Sequence, residues 1–166
     1  MMNANRRLGY TLAMIMFMFD QIIKYWATGP LDLPNRGEIV LLPIFKFMWV
    51  NNPGVAMGML VADTPFKVLM LIIFTGVIAA FVAVWVWRET NRTDVVGLGL
   101  ILGGALGNIV DRIRFGHVID FMNLHFGDFS PFLVFNVADA AITVGVLILL
   151  ARAFLVREPK PEAETE

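Results

Sequence analysis

The 166-residue chain has no cysteine, which excludes disulfides, thiolate nucleophiles and zinc sites built on sulfur, and leaves the redox compartment open. Charge is scarce: Asp, Glu, Lys and Arg make up 16% of the chain, against roughly 25% in an ordinary soluble domain. A basic excess is missing too, since the formal net charge is -1. Nothing is therefore available to neutralise a phosphate backbone, and nucleic acid is not an expected partner. Serine occurs once, as Ser130, in a loop without a histidine at a suggestive spacing, which disfavours a serine protease. Neither histidine, His117 nor His125, has a carboxylate at the spacing of a zinc motif, so neither metal nor another cofactor is expected. His117 reads as a hydrogen-bonding loop residue. There is no internal repeat and no low-complexity tract. Carboxylates, two histidines and hydroxyls remain as the available chemistry.

What the chain does have is apolar surface. Hydrophobic residues make up 58% of it, and several runs approach the about 20 residues that cross a bilayer as a helix. The fold class expected is an all-α membrane protein with four transmembrane helices, spanning about 8–27, 66–87, 95–113 and 132–152. Residues 1–157 form one polytopic domain and 158–166 a charged, proline-bearing tail expected to be disordered. The first run, behind Arg6 and Arg7, imitates a secretory signal peptide. It lacks a small-x-small cleavage site and reads as a retained helix. Arg6 and Arg7, Arg88 and Arg92, then Arg152, Arg157 and Lys160 fall on one side, which the positive-inside rule makes cytoplasmic, along with both termini. Segments 28–65 and 114–131 are then extracytoplasmic. Within them 38–50 and 118–124 mix β-branched and aromatic residues, the composition of short strands.

A charge inside a membrane helix costs about 2.5 to 3.5 kcal/mol on insertion scales, so each one needs a reason. Asp20 and Lys24 stand four apart with the acid first, the better order for a helical ion pair; they are either a mutually neutralising pair or part of a site. Gly99, Gly103 and Gly107 recur every four residues and let a neighbouring helix approach closely. Asn108, Asp111 and Arg112 follow on one helical face. An interfacial anchor accounts for Arg112 and even Asp111, less readily for Asn108, one turn deeper. Asn136 and Asp139 share a face of the fourth span, with Asp139 about 10 Å beyond Phe132 along it. No base lies within a turn of Asp139, so it is either a protonated acid bonding a neighbouring helix or a functional group. Asp120, a lone acid among apolar residues, can meet Asp139 if its loop folds back on the fourth helix. Two adjacent carboxylates cannot both ionise cheaply, which leaves one acid and one base. That is the arrangement of aspartic proteases, in which one carboxylate activates water and the other protonates the leaving amine. A proton-coupled transporter and a scaffold that docks through the glycine stripe are the rival readings.

Five motifs, DQIIK (Asp20 to Lys24), NNPGVAMG (Asn51 to Gly58), GGALGNIVDR (Gly103 to Arg112), GHVIDF (Gly116 to Phe121) and FNVADAAITVG (Phe135 to Gly145), occur in the order found in the lipoprotein signal peptidases, or type II signal peptidases. The chain resembles that family across three of the four spans and both outer segments. The resemblance implies four transmembrane helices with a small extracytoplasmic β-rich cradle resting on the membrane. It implies that Asp120 and Asp139 are the catalytic pair. Asp20, Asn52, Gly54, Asn108, Arg112 and Asn136 would bind substrate or support the pair, while Lys24 and Asp111 would be structural. The implied activity is removal of signal peptides from diacylglyceryl-modified prolipoproteins by an aspartyl endopeptidase, cutting just before the lipidated cysteine. The implied setting is the bacterial cytoplasmic membrane, with the site near its outer face and membrane lipid around it. The chain departs from the family's NxGAAF by reading NPGVAM, with Val55 and Met57 for Ala and Phe, which bears on pocket shape.

Overall fold

A computed structural model describes residues 4–54, 62–127 and 129–155; Val55, Met57 and the tail 158–166 lie outside them. The described residues form four long helices and a small sheet: α1 (Ala4–Thr28), a single turn α2 (Leu33–Arg36), β1 (Glu38–Leu42), β2 (Phe45–Asn52), α3 (Pro65–Arg88), α4 (Arg92–Phe115), β3 (Val118–Leu124) and α5 (Val137–Leu155).

The helices begin and end where the local chemistry says they should. Thr64 caps α3 by accepting from Lys67 N, with Pro65 at the first helical position, where its missing N–H costs nothing. Asn91 caps α4 by accepting from Thr93 N. Gly116, at φ 78°, closes α4 by donating its N–H to Arg112 O. Three helices, α3, α4 and α5, are long and apolar enough to cross a membrane. α1 is of similar length but carries Asp20, Gln21 and Lys24; Asp20 and Lys24 are buried, as are Gly9, Ala13 and Ala27, along one face of that helix. Its other faces expose Met14, Ile15, Met18, Phe19 and Ile22.

α4 is the central helix, packed against α1, α3 and α5, and it is the only one of the four that buries residues all round. Close approach is the reason for its glycines. A Cβ on Gly103 would stand 2.5 Å from Ala13 O on α1, and one on Gly104 would stand 2.5 Å from Ala138 O on α5. The apolar core joins Ala13, Ala79, Val82, Val86, Leu98, Leu102 and Ile109 from α1, α3 and α4.

The sheet has the order β1-β2-β3, antiparallel throughout, and packs through Ile119 and Phe121 onto Ala27 and Leu33. The strands expected at 38–50 and 118–124 are present. The register slips between Phe47 and Val50 as β2 pairs with β3, and this irregularity sets Val50 opposite Asp120; such bulges re-aim side chains next to sites. Beyond β3 the chain returns so that Phe135 pairs with Met122. Asn136 and the start of α5 are thereby delivered beside Asp120.

One boundary differs from the sequence expectation. The fourth long helix starts at Val137, not near residue 132. Asn136 and Asp139 form a reciprocal cap: Asp139 N donates to Asn136 Oδ1 at 2.9 Å and Asn136 N to Asp139 Oδ2 at 3.2 Å. The apolar run 132–135 continues the helical pattern, but Phe135 spends its backbone on β3. Asp139 therefore stands in the first turn of α5, not about 10 Å along it.

Candidate active site

Asp120 is wholly buried in β3. Its Oδ1 accepts from Asn136 Nδ2 at 2.7 Å and its Oδ2 from Asn52 Nδ2 at 2.8 Å. Asp139 accepts from Asn108 Nδ2 at 2.8 Å through Oδ1 and from Asn136 N through Oδ2. Asn136 thus bonds both carboxylates at once, by its side chain and by its backbone. Burial, and then the negative charge of Asp139, push the Asp120 carboxyl up to about 7, against the smaller opposing effect of the bonds from Asn52 and Asn136. A carboxyl so placed can hold a proton at neutral pH while its neighbour acts as a base.

Behind the pair lies a buried ionic cluster. Lys24 Nζ is 2.7 Å from Asp111 Oδ2 and 2.8 Å from Asp20 Oδ2, and it donates to Asn108 Oδ1 at 3.2 Å. Both acids also hold the backbone. Asp20 Oδ1 accepts from Ala138 N in the first turn of α5, and Asp111 Oδ2 accepts from Ile119 N in β3. Asp20 thereby ties the start of α5 to α1, and Asp111 ties β3 to α4.

Comparison with known proteins puts this geometry in a family. The model of the family described as Signal peptidase (SPase) II matches residues 12–155. Lipoprotein signal peptidase of Rhizorhabdus wittichii is 53% identical over 160 residues, covering 96% of this chain and 93% of that protein. Lipoprotein signal peptidase of Sphingopyxis alaskensis is 48% identical over the same length, with 96% and 92% covered. The chain belongs to the signal peptidase II family. A solved structure described as a bacterial membrane enzyme, obtained by the in meso method at 2.3 Å resolution, superposes with a TM-score of 0.79 at 25% identity, covering 96% of this chain and 94% of its own. As a signal peptidase II the protein is a protease, and the family together with three apolar helices makes it a bacterial membrane protein.

Asp20, Lys24, Asn52, Gly54, Asn108, Asp111, Arg112, Asp120, Asn136 and Asp139 are all gathered at one end of the helix bundle. Asn52 reaches Asp120, and Gly54 N donates to Asn52 Oδ1 at 3.0 Å. Arg112 donates to Gly54 O at 2.7 Å and to Asn108 O at 3.2 Å. It also lines a groove of about 620 Å³ between α3 and α4, with Ala62, Val68, Leu69, Ile72 and Ile113. The groove is open and mainly apolar, and Asp63 and Arg112 are the charged residues in its lining. Asp20 and Lys24 prove to be neither an isolated pair nor a surface feature.

Two residues of the cluster escape sequence reasoning. Gln21 donates to Asp111 Oδ1 at 3.0 Å and to Asp20 Oδ2 at 3.2 Å; a neutral amide beside two charged residues carried no distinguishing signal. Gly107 reads as one of the stripe of small residues, yet a Cβ there would stand 2.5 Å from Asp20 Oδ2. Its small size makes room for a carboxylate, not for a helix backbone. Only the contact between Asp20 on α1 and Gly107 on α4, which spacing cannot supply, reveals that.

Proposed function

We propose that this protein is an aspartic endopeptidase that removes signal peptides from diacylglyceryl-modified bacterial prolipoproteins, cutting just before the lipidated cysteine. The observation that carries this reading is Asn136 bonding Asp120 and Asp139 together. Asp120 retains the shared proton, in keeping with a carboxyl pushed up to about 7. Asp139 accepts a proton from water as the resulting hydroxyl attacks the scissile carbonyl, and Asp120 gives its proton to the leaving amine. Asn52, Asn108 and Asn136 orient the acids, and Gly54 and Arg112 form the wall on which substrate backbone is held. Neither cofactor nor nucleic acid has a part in it.

The setting follows from the same residues. α1 is the fourth span: its polar side chains turn inwards to the cluster and its apolar ones outwards to lipid. Arg6, Arg88, Arg92 and Arg152 lie at the bundle end away from the sheet, which supports cytoplasmic termini and a site near the outer face. The apolar groove beside Arg112 would admit the acyl chains and signal helix sideways from the bilayer. Purified protein given a precursor peptide with and without the diacylglyceryl group tests the substrate assignment. Mass spectrometry is expected to find a single cut before the modified cysteine in the lipidated peptide alone. Equal cleavage of both peptides, or a cut elsewhere, would refute it.

A further inference from the structure

Lys24 is 2% exposed, and its Nζ lies among three acceptors: Asp111 Oδ2, Asp20 Oδ2 and Asn108 Oδ1. The two carboxylates account for a buried cation; the amide needs a separate reason. An ammonium has three donors and no acceptor, so the amide atom that faces it must be oxygen. With Oδ1 held there, Asn108 turns its Nδ2 to Asp139 Oδ1 at 2.8 Å. Turned over, the amide would set N–H against the ammonium and a carbonyl oxygen against a carboxylate. Asn136 Nδ2 also reaches Asn108 Oδ1, at 3.1 Å, but it divides two hydrogens among three acceptors, the others being Asp120 Oδ1 and Ile119 O. Lys24 is the donor with a hydrogen for each acceptor.

The geometry points to Lys24 as a positioning residue that fixes the Asn108 amide in the one orientation offering an N–H to Asp139. The inference rests on the aspartic reading of the site and deepens it. Lys24 acts through Asn108 and touches no substrate, so its loss lowers kcat and leaves KM alone. Because K24M by itself strands two buried carboxylates, the test is run in a D111N background, where adding K24M restores the cluster's original net charge. A double-mutant cycle between K24M and N108A is measured there with the full-length enzyme in detergent and a lipidated precursor peptide.

The expected result is that K24M lowers kcat about ten- to a hundred-fold, the usual effect of losing an outer orienting partner. Adding N108A should then cost little more, because both changes remove the same interaction. Additive losses, a change confined to KM, full activity, or a K24M/D111N protein that does not fold would each overturn the assignment; the last would make Lys24 a folding element. D120N and D139N are assayed alongside. If they turn over at the wild-type rate, the aspartic reading fails; if they are silent and the cycle is additive, only the role of Lys24 fails.

Discussion

Asn52, Asn108 and Asn136 divide four acceptor oxygens between them, and the acids they hold are unequal. Asp120 is enclosed, so burial and the charge of Asp139 disfavour its ionised form and its proton stays on until about pH 7. Above that point Asp120 has lost its proton and, on the proposed mechanism, the leaving amine has no acid to protonate it, so kcat/KM is expected to fall as pH rises through about 7. Asn52 donates to Asp120 Oδ2 and so favours the ionised form. Replacing Asn52 with Leu removes that help, raises the Asp120 pKa and moves the alkaline limb of the pH profile to higher pH. A limb that stays in place, or moves down, would contradict the bonding described. At this scale the sequence was informative about identity and silent about partners. Asp120 and Asp139 stand out as acids in apolar surroundings, but the bond from Ala138 N to Asp20, which spans 118 residues of sequence, leaves no trace in local spacing.

The first turn of α5 is where the elements meet. Asn136 caps it from the residue before, Asp20 receives the Ala138 N–H from α1, and Gly104 of α4 lies against the Ala138 carbonyl. The N-x-x-D pattern of Asn136 to Asp139 is itself a helix-start signal. The apolar run continuing back to Phe132 obscured it, which is why the sequence set the helix start five residues early. A helix pattern cannot tell residues that pair with a strand from residues that continue the helix. The placement predicts different outcomes for two glycines. Gly104→Ala puts a Cβ 2.5 Å from backbone oxygen, so α5 must move off α4; activity and Tm both fall, by about 1 to 3 kcal/mol in stability. Gly76→Ala on α3, where a Cβ meets nothing within 4 Å, leaves activity unchanged and does not lower Tm. Thermal unfolding and cleavage rates of the two variants check this, and equal behaviour would mean that the α4–α5 contact does not set the site.

For the whole molecule, composition and the order of apolar runs made a helical membrane protein legible, and the β-branched outer segments made the sheet legible. α1 was the least clear of the long helices because its charges, Asp20 and Lys24, are buried in the polar cluster. Its role is tested by topology. The native chain has no cysteine, so single introduced cysteines report cleanly. Asn35→Cys, beside the sheet, should react with an impermeant maleimide on intact cells, and Thr90→Cys, between α3 and α4, only after permeabilisation; the reverse would overturn four spans with inward termini. The sheet, the ionic cluster and α5 together bring two acids, distant in sequence, to one polar end of an apolar bundle. On the proposed reading, those two acids perform the cleavage. Asp120→Asn and Asp139→Asn are near-isosteric but replace one accepting oxygen by an N–H facing another donor, so each should fold and insert with a modestly lowered Tm, by about 1 to 3 kcal/mol in stability. Turnover of a lipidated precursor peptide should nonetheless fall by at least about a hundred-fold in each. Turnover near the wild-type rate in either folded variant would contradict the account.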